Sequence, residues 1–199
     1  DVRDTLARHP VDRAVPIRML TRAELAPEIR RLDLFVLGGG GILYDREAEV
    51  YLREVFVAHE LGVPVMLYAI SAGPLNSRTA RKEVAAHLKS VQRITVRDRQ
   101  ARKLLEEVGV DQEIRVTADP ALLIEPEPLP DNVLTREALD SEHKLVGMSV
   151  REPGMAAPDI DVEHYHALLA NAADFMVARY NAQVVFVPLE RKHMDMQQS

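Results

Sequence analysis

The fold class is decided by a stretch in which a short apolar run leads directly into four glycines, LFVLGGGG at residues 34–41. Five further apolar runs follow it, and most lack polar alternation, as is typical of strands buried on both faces of a sheet. They lie at residues 63–68, 94–96, 114–116, 145–150 and 184–187. Longer amphipathic segments separate the runs. This alternation predicts an α/β fold in which parallel sheets are flanked by helices.

Helix ends between the apolar runs are marked by capping residues. Thr21, Ser77 and Asp98 each precede an amphipathic segment and are predicted N-caps, and Thr21 opens a capping box. Gly62 and Gly109 stand where two of the helices should end.

The helix expected over residues 47–61 has a clear apolar stripe. Leu52, Val55, Phe56 and His59 recur at helical spacing within it. We therefore expect all four side chains, including the His59 imidazole, to lie in the core.

Composition and charge exclude several classes of protein. The chain has 199 residues, enough for one domain or a domain and a part of another. Its 25 basic and 31 acidic residues give a net charge of −6, which offers no general attraction for nucleic acid or an anionic membrane. The absence of Cys excludes disulfides, thiolate metal sites and thiol catalysis.

Targeting signals are missing from the sequence, and this favours a cytoplasmic protein. The apolar runs are far shorter than the ~18 residues of a membrane span, and no signal peptide opens the chain. The chain starts at Asp1 rather than Met and stops soon after an apolar run. We therefore expect a piece of a longer protein.

One segment differs from its surroundings and suggests a domain boundary. Residues 124–142 hold prolines at alternate positions, six acids and one base, which favours an extended and solvated path. We expect an N-terminal α/β domain over residues 1–124, its first strand missing, and a linker over 125–142. Residues 143–199 would then begin a C-terminal α/β domain.

In a parallel sheet, ligands bind beyond the carboxyl ends of the strands, so the residues after each apolar run are the functional candidates. Gly38, Gly39, Gly40 and Gly41 follow the first run, and their exposed backbone N–H groups suit a phosphate-bearing ligand. The alternative is a tight turn. The spacing of later glycines fits neither a dinucleotide fingerprint nor a P-loop.

Three further candidates follow other runs or the glycines. Asp45 could orient a hydroxyl or act as an acid or base, or it could cap the next helix. Gly73 lies in a second turn that contains glycine. Asp119 could face a ligand or cap a turn before Pro120.

Two arginines directly follow strands at the end where ligands bind. The guanidinium groups of Arg97 and Arg151 suit phosphate and carboxylate, and the alternative for each is an ion pair with a neighbouring acid. Residues 78–103 hold nine bases and two acids, which would attract an anion or form a solvated helix face. We expect no metal site, because His164 and His166 would point to different sides of a helix.

Five short stretches, taken in order, resemble the polysaccharide pyruvyl transferase family. The resemblance covers about residues 30 to 199. Its stretches are residues 37–45, residues 61–65 with 72–75, residues 94–98, residues 117–121 and residues 147–151.

The resemblance implies a two-domain fold of the glycosyltransferase-B type, of which the second domain is truncated here. It also implies transfer of pyruvate from phosphoenolpyruvate onto a sugar of a cell-surface polysaccharide as a ketal. Phosphoenolpyruvate is a co-substrate in that reaction, and no other cofactor is expected. Arg151, and less closely Arg97, match positions that hold the donor, while residues 38–41 and Asp45 would border the cleft.

The chain departs from the family pattern in three places. The family usually opens with a strand followed by a glycine-aspartate loop, and nothing like it occurs before Leu34. Ser71 stands where a glycine is common, and an Arg-Leu-His motif late in the second domain is not reached, so we expect this piece to be inactive alone. Two alternative functions remain at this point. They are a nucleotide-sugar glycosyltransferase of the same architecture and a non-catalytic α/β module that binds a phosphorylated ligand.

Overall fold

A computed structural model describes residues 6–7, 9, 11–45, 47–140, 142–154, 157 and 159–187. The chain divides into two compact units, Asp1–Ile124 and Glu125–Ser199. The strands are β1 (Phe35–Leu43), β2 (Val65–Ala72), β3 (Arg93–Val96), β4 (Ile114–Val116), β5 (Lys144–Met148) and β6 (Ala182–Phe186). The helices are α1 (Arg22–Ile29), α2 (Ala48–Glu60), α3 (Arg78–Leu88), α4 (Arg99–Val108), α5 (Val133–Arg136) and α6 (Val162–Tyr180). Short 3₁₀ helices cover Ile17–Met19 and Pro120–Leu123.

Each unit contains a parallel sheet. In the first unit the strand order is β1-β2-β3-β4, and every neighbouring pair is parallel. In the second unit β5 and β6 pair in parallel, and α6 connects them. The predicted α/β class with parallel sheets flanked by helices is confirmed, and it agrees with a glycosyltransferase-B-like or Rossmann-like arrangement.

The predicted capping residues are confirmed, because each satisfies backbone groups that the helix ends leave unpaired. The Thr21 hydroxyl accepts from Glu24 N–H at 3.3 Å, and the Glu24 carboxylate accepts from Thr21 N–H at 2.8 Å. Ser77 and Asp98 cap α3 and α4 with one side-chain oxygen each, which accepts from Ala80 N–H and Ala101 N–H. Gly109 ends α4 with φ +99°, a left-handed conformation that glycine adopts without steric cost.

The expectation that the strands are buried on both faces is wrong for the first sheet. Leu37, Leu67 and Ile94 point to one face and are buried, whereas Val36 and Tyr68 on the other face are 48% and 41% exposed. The reason is topological. Crossovers between parallel strands are right-handed, so a sheet whose strands lie in the order of the sequence has its connecting helices on one face. Helices α1 to α4 pack side by side on that face.

The expected burial of His59 is also wrong, although Leu52 and Val55 on the same stripe are fully buried. The chain turns sharply after α2, and Val63 N–H donates to the Ala58 carbonyl at 2.9 Å. Ala58 and Val63 therefore fill the core at this end of the helix. The imidazole of His59 is left on the surface.

Candidate functional site

The four glycines lie inside a strand, so the expectation that they form a loop is wrong. Gly38, Gly40 and Gly41 pair with Tyr68, Ile70 and Ser71 as β1 runs on to Leu43. The ladder continues because its hydrogen bonds come from backbone groups, which glycine supplies like any other residue.

Backbone conformation explains two of the four glycines, and close packing explains a third. Gly39 and Gly40 have φ of +93° and +83°, which side-chain-bearing residues rarely adopt. A Cβ on Gly38 would lie 3.2 Å from the Tyr68 carbonyl oxygen. Gly41 is different, because it is exposed and a Cβ there would meet no atom of the described residues within 4 Å. Gly41 therefore leaves open space above the end of the sheet.

A β-bulge faces the glycines across the sheet. Two residues of β2, Tyr68 and Ala69, oppose the single residue Thr95 of β3, and Ala69 has φ +47° although it is buried. The Thr95 hydroxyl fills the gap in the ladder, since it accepts from Ala69 N–H at 2.7 Å and donates to the Leu67 carbonyl at 3.2 Å. A left-handed alanine costs about 1–2 kcal/mol, and strain of this kind clusters at functional sites.

Ser71 and Asp98 form a hydrogen-bonded pair at the carboxyl ends of β2 and β3. The Ser71 hydroxyl donates to Asp98 Oδ2 at 2.5 Å, while Asp98 Oδ1 accepts from Ala101 N–H at 2.6 Å. Ser71 is not among the functional residues predicted from the sequence. Its place just after the second apolar run and two residues before Gly73 is the signal that could have found it.

Arg97 and Asp119 form an ion pair beyond β3 and β4. Arg97 Nη1 lies 2.7 Å from Asp119 Oδ2, and the two side chains are 33% and 36% exposed. Asp119 also caps the 3₁₀ helix, because its Oδ1 accepts from Ala121 N–H at 3.0 Å. That N–H, and then the Arg97 guanidinium, lower the pKa of Asp119. The ion-pair alternative for Arg97 and the capping alternative for Asp119 are therefore the ones observed.

The carboxylate of Asp45 holds the segment that follows β2. Its Oδ2 accepts from Asn76 N–H and its Oδ1 from Ser77 N–H, both at 2.9 Å. Asp45 N–H donates to the Pro74 carbonyl at 3.0 Å. The alternative that Asp45 caps the next helix is wrong, because Glu47 is the N-cap of α2. The geometry gives Asp45 a positioning role.

Gly73 has a packing reason of its own. Its φ is +109°, and a Cβ there would lie 2.9 Å from Leu104 Cδ2. Its N–H donates to the Leu43 carbonyl at 2.8 Å and so joins the end of β1 to the segment after β2. Gly73 thus shapes the edge at which Gly41 and Ser71 lie.

In the second unit, Arg151 follows β5 by three residues and is exposed. The Tyr165 hydroxyl of α6 donates to the Arg151 carbonyl at 3.0 Å. The neighbouring Glu152 lies 2.9 Å from His166 Nε2. Tyr165 therefore holds the backbone of Arg151, and His166 contacts the side chain of the residue that follows it.

One cavity of the first unit lies away from the ends of β1 and β2. A cavity of about 960 Å³ runs along β4 and α4, with Arg102, Gln112 and Arg115 among its lining residues. We place the candidate site by the strand ends, because ligands of parallel sheets bind there. Among the described residues, no group of three or more His, Asp or Glu side chains is arranged to hold a metal ion. Within the same residues, none of the helices combines the length and apolarity needed to cross a bilayer.

Comparison with known proteins identifies the family of the chain. The family model described as polysaccharide pyruvyl transferase matches residues 4–199, which is nearly the whole sequence. A search of curated proteins finds no significant match. The matched region contains both units and every candidate residue described above. The chain therefore belongs to the polysaccharide pyruvyl transferase family.

Proposed function

We propose that the protein transfers pyruvate from phosphoenolpyruvate to two hydroxyls of a sugar in a cell-surface polysaccharide, forming a ketal. The observation that carries this proposal is the family match over residues 4–199. The parallel sheet of the first unit supports it, because its strand ends bring exposed glycine backbone, a hydroxyl and a guanidinium to one edge.

Phosphoenolpyruvate offers two anionic groups, a phosphate and a carboxylate, and arginine recognises both with paired N–H donors. We name one candidate for this task in each unit, Arg97 in the first unit and Arg151 in the second. Arg97 already contacts Asp119 at 2.7 Å. That contact uses Nη1 alone, and a guanidinium has five N–H donors, so an anion can bind the remaining donors of Arg97.

The proposed reaction needs no cofactor beyond its two substrates. A proton adds to the methylene carbon of phosphoenolpyruvate, and the first sugar hydroxyl attacks the adjacent carbon and releases its own proton. Phosphate then departs with the electrons of its C–O bond, and the second hydroxyl closes the ketal ring. The products are the ketal and one phosphate, with no net gain or loss of water. Cationic side chains stabilise the departing phosphate in such a step.

Asp45 is our candidate for contact with the acceptor sugar. Each carboxylate oxygen holds one backbone N–H, from Asn76 or Ser77. A second lone pair therefore remains on each oxygen. Asp45 can thus accept a sugar hydroxyl, or its proton, while it continues to hold residues 74–77 in place.

The direct test is incubation of the full-length protein, of which this chain is expected to be a piece, with phosphoenolpyruvate and a panel of hexopyranosides. We expect phosphate release that depends on the sugar, and a product heavier by one pyruvate less one water, measured by mass spectrometry. Glycosyl transfer from a nucleotide sugar, without any pyruvylated product, would replace this proposal by the glycosyltransferase alternative. Binding of phosphoenolpyruvate without turnover of any sugar would contradict transfer.

Arg151→Ala tests the assignment of the donor site. Loss of a charge-assisted hydrogen bond should weaken phosphoenolpyruvate binding by roughly 1.5–3 kcal/mol. Isothermal titration with phosphoenolpyruvate measures it. Arg179→Ala, which removes an exposed arginine from the last turn of α6, is the matched control and should leave the affinity unchanged. Equal affinities for Arg151→Ala and the unmodified protein would remove Arg151 from the site.

A further inference from the structure

We propose that Ser71 recognises the sugar substrate. Its hydroxyl oxygen can only accept a hydrogen bond and therefore binds an O–H group that the sugar donates. This inference rests on the proposed function and goes beyond it by assigning one side chain to the acceptor.

The direction of the hydrogen bonds follows from Asp98. Its Oδ1 accepts from Ala101 N–H at 2.6 Å as the cap of α4, and its Oδ2 accepts from the Ser71 hydroxyl at 2.5 Å. An ionised carboxylate can only accept, so the hydrogen of Ser71 must point at Asp98. The oxygen of Ser71 therefore presents lone pairs alone, and no hydrogen bond within the described residues reaches them.

A ligand can approach this oxygen from the end of the sheet. Ser71 is half-buried and pairs with Gly41, so the two residues lie side by side on adjacent strands. Gly41 is exposed, and a Cβ built there would meet no described atom within 4 Å. The open space at Gly41 thus adjoins the lone pairs of Ser71.

Because Ser71 can only accept a hydrogen bond, it distinguishes the sugar from phosphoenolpyruvate. A sugar hydroxyl can donate to Ser71, whereas the phosphate and carboxylate of ionised phosphoenolpyruvate carry no donor and would be repelled by the same lone pairs. The bond to a charged carboxylate also polarises the Ser71 hydroxyl and strengthens its oxygen as an acceptor. Ser71 should therefore affect binding of the acceptor and leave the donor unaffected.

Three variants test the assignment, with steady-state kinetics on the best hexopyranoside from the panel above. Ser71→Ala should raise the KM for the sugar by about two- to tenfold, the loss of one neutral hydrogen bond, with the KM for phosphoenolpyruvate unchanged. Ser71→Thr keeps the hydroxyl and should restore most of the sugar affinity. Ser90→Ala is the control. The Ser90 hydroxyl donates to the His87 carbonyl, away from the carboxyl ends of the strands, so its removal should change neither the KM for the sugar nor the KM for phosphoenolpyruvate.

Asp98→Asn tests the direction of the hydrogen bond. The amide oxygen can still cap α4, but the amide N–H₂ donates to Ser71 and turns the Ser71 hydrogen outward. The KM for the sugar should then rise as in Ser71→Ala, although the hydroxyl is still present. Thermal unfolding of each variant shows whether the fold is kept.

The outcomes separate this inference from the proposed function. If the unmodified full-length protein pyruvylates no sugar, the proposed function is overturned and the inference with it. If it pyruvylates a sugar and folded Ser71→Ala keeps the same sugar KM, the inference alone is overturned. A rise in the KM for phosphoenolpyruvate rather than for the sugar would also contradict it.

Discussion

Gly73 and Gly41 lie at the same edge of the first sheet but are glycine for different reasons. Gly73→Ala should destabilise the fold by about 1–3 kcal/mol, because φ is +109° and the new Cβ would lie 2.9 Å from Leu104 Cδ2. Urea unfolding followed by circular dichroism measures the change.

Gly41→Ala is the matched control for that experiment. Its backbone has no positive φ, and the added methyl would meet no atom of the described residues within 4 Å. The free energy of unfolding should therefore change by less than about 0.5 kcal/mol, while substrate affinity falls because the methyl enters the open space. Equal destabilisation by the two substitutions would contradict our interpretation of both glycines.

The Arg97–Asp119 pair should make stability depend on pH in a defined direction. Ala121 N–H and Arg97 lower the pKa of Asp119 in the folded protein. Its contribution is therefore fully present above the ordinary Asp pKa of about 3.9 and is lost as the pH falls through the lower folded value.

Asp119→Asn provides the comparison for this pH dependence. The variant should melt at a lower temperature than the unmodified protein at pH 7, and this gap in melting temperature should narrow as the pH falls below about 3.9. Salt should narrow the gap at pH 7, because both side chains are partly exposed. A gap that is constant between pH 7 and pH 3 would show that the charge of Asp119 has no part in stability.

At the scale of the element, α1 provides the clearest prediction, because both hydrogen bonds of its capping box are present. Thr21→Ala removes the hydroxyl that accepts from Glu24 N–H. It should lower the free energy of unfolding by about 1 kcal/mol. Thr21→Ser keeps the hydroxyl and should recover most of the loss, as measured by chemical unfolding. Equal loss in both variants would point to the threonine methyl group instead of the cap.

Helix ends could be predicted from the sequence, whereas the ends of β1 and β2 could not. A cap depends on groups three or four residues away, so Thr21, Ser77 and Asp98 are recognisable from local sequence. The extension of β1 through Gly38–Gly41 depends on partners near residue 70, about 30 positions along the chain. Glycine has low strand propensity, so no local pattern predicts that extension.

At the scale of the whole molecule, we expect the first unit, Asp1–Ile124, to fold by itself. It contains a continuous apolar core under the four-stranded sheet, built from side chains between Leu25 and Ile114. A protein cut after Ile124 should keep its helical circular dichroism and unfold in urea in one cooperative transition. A gradual loss of signal without a sigmoidal transition would contradict this prediction.

The candidate site was only partly predictable, because its residues are distant in sequence. The sequence predicts three of its residues, Asp45, Arg97 and Asp119, because each follows an apolar run or the glycines that extend one. Ligands of parallel sheets bind at that end of the strands. Their hydrogen-bond partners could not be predicted. Asp45 holds Asn76 and Ser77, which lie about 30 residues away. Arg97 pairs with Asp119, although both also looked suited to a ligand.

The sequence by itself determined the α/β class, the order of strands and helices, the helix caps and the family, because these depend on local periodicity and short motifs. Only the tertiary structure decided which face of the first sheet is covered, since the crossovers place α2 to α4 on one side and α1 packs beside α2. It also decided that the glycines of β1 lie in a strand and that Ser71 donates to Asp98. These features arise from contacts between residues far apart in the chain, and local composition does not specify such contacts.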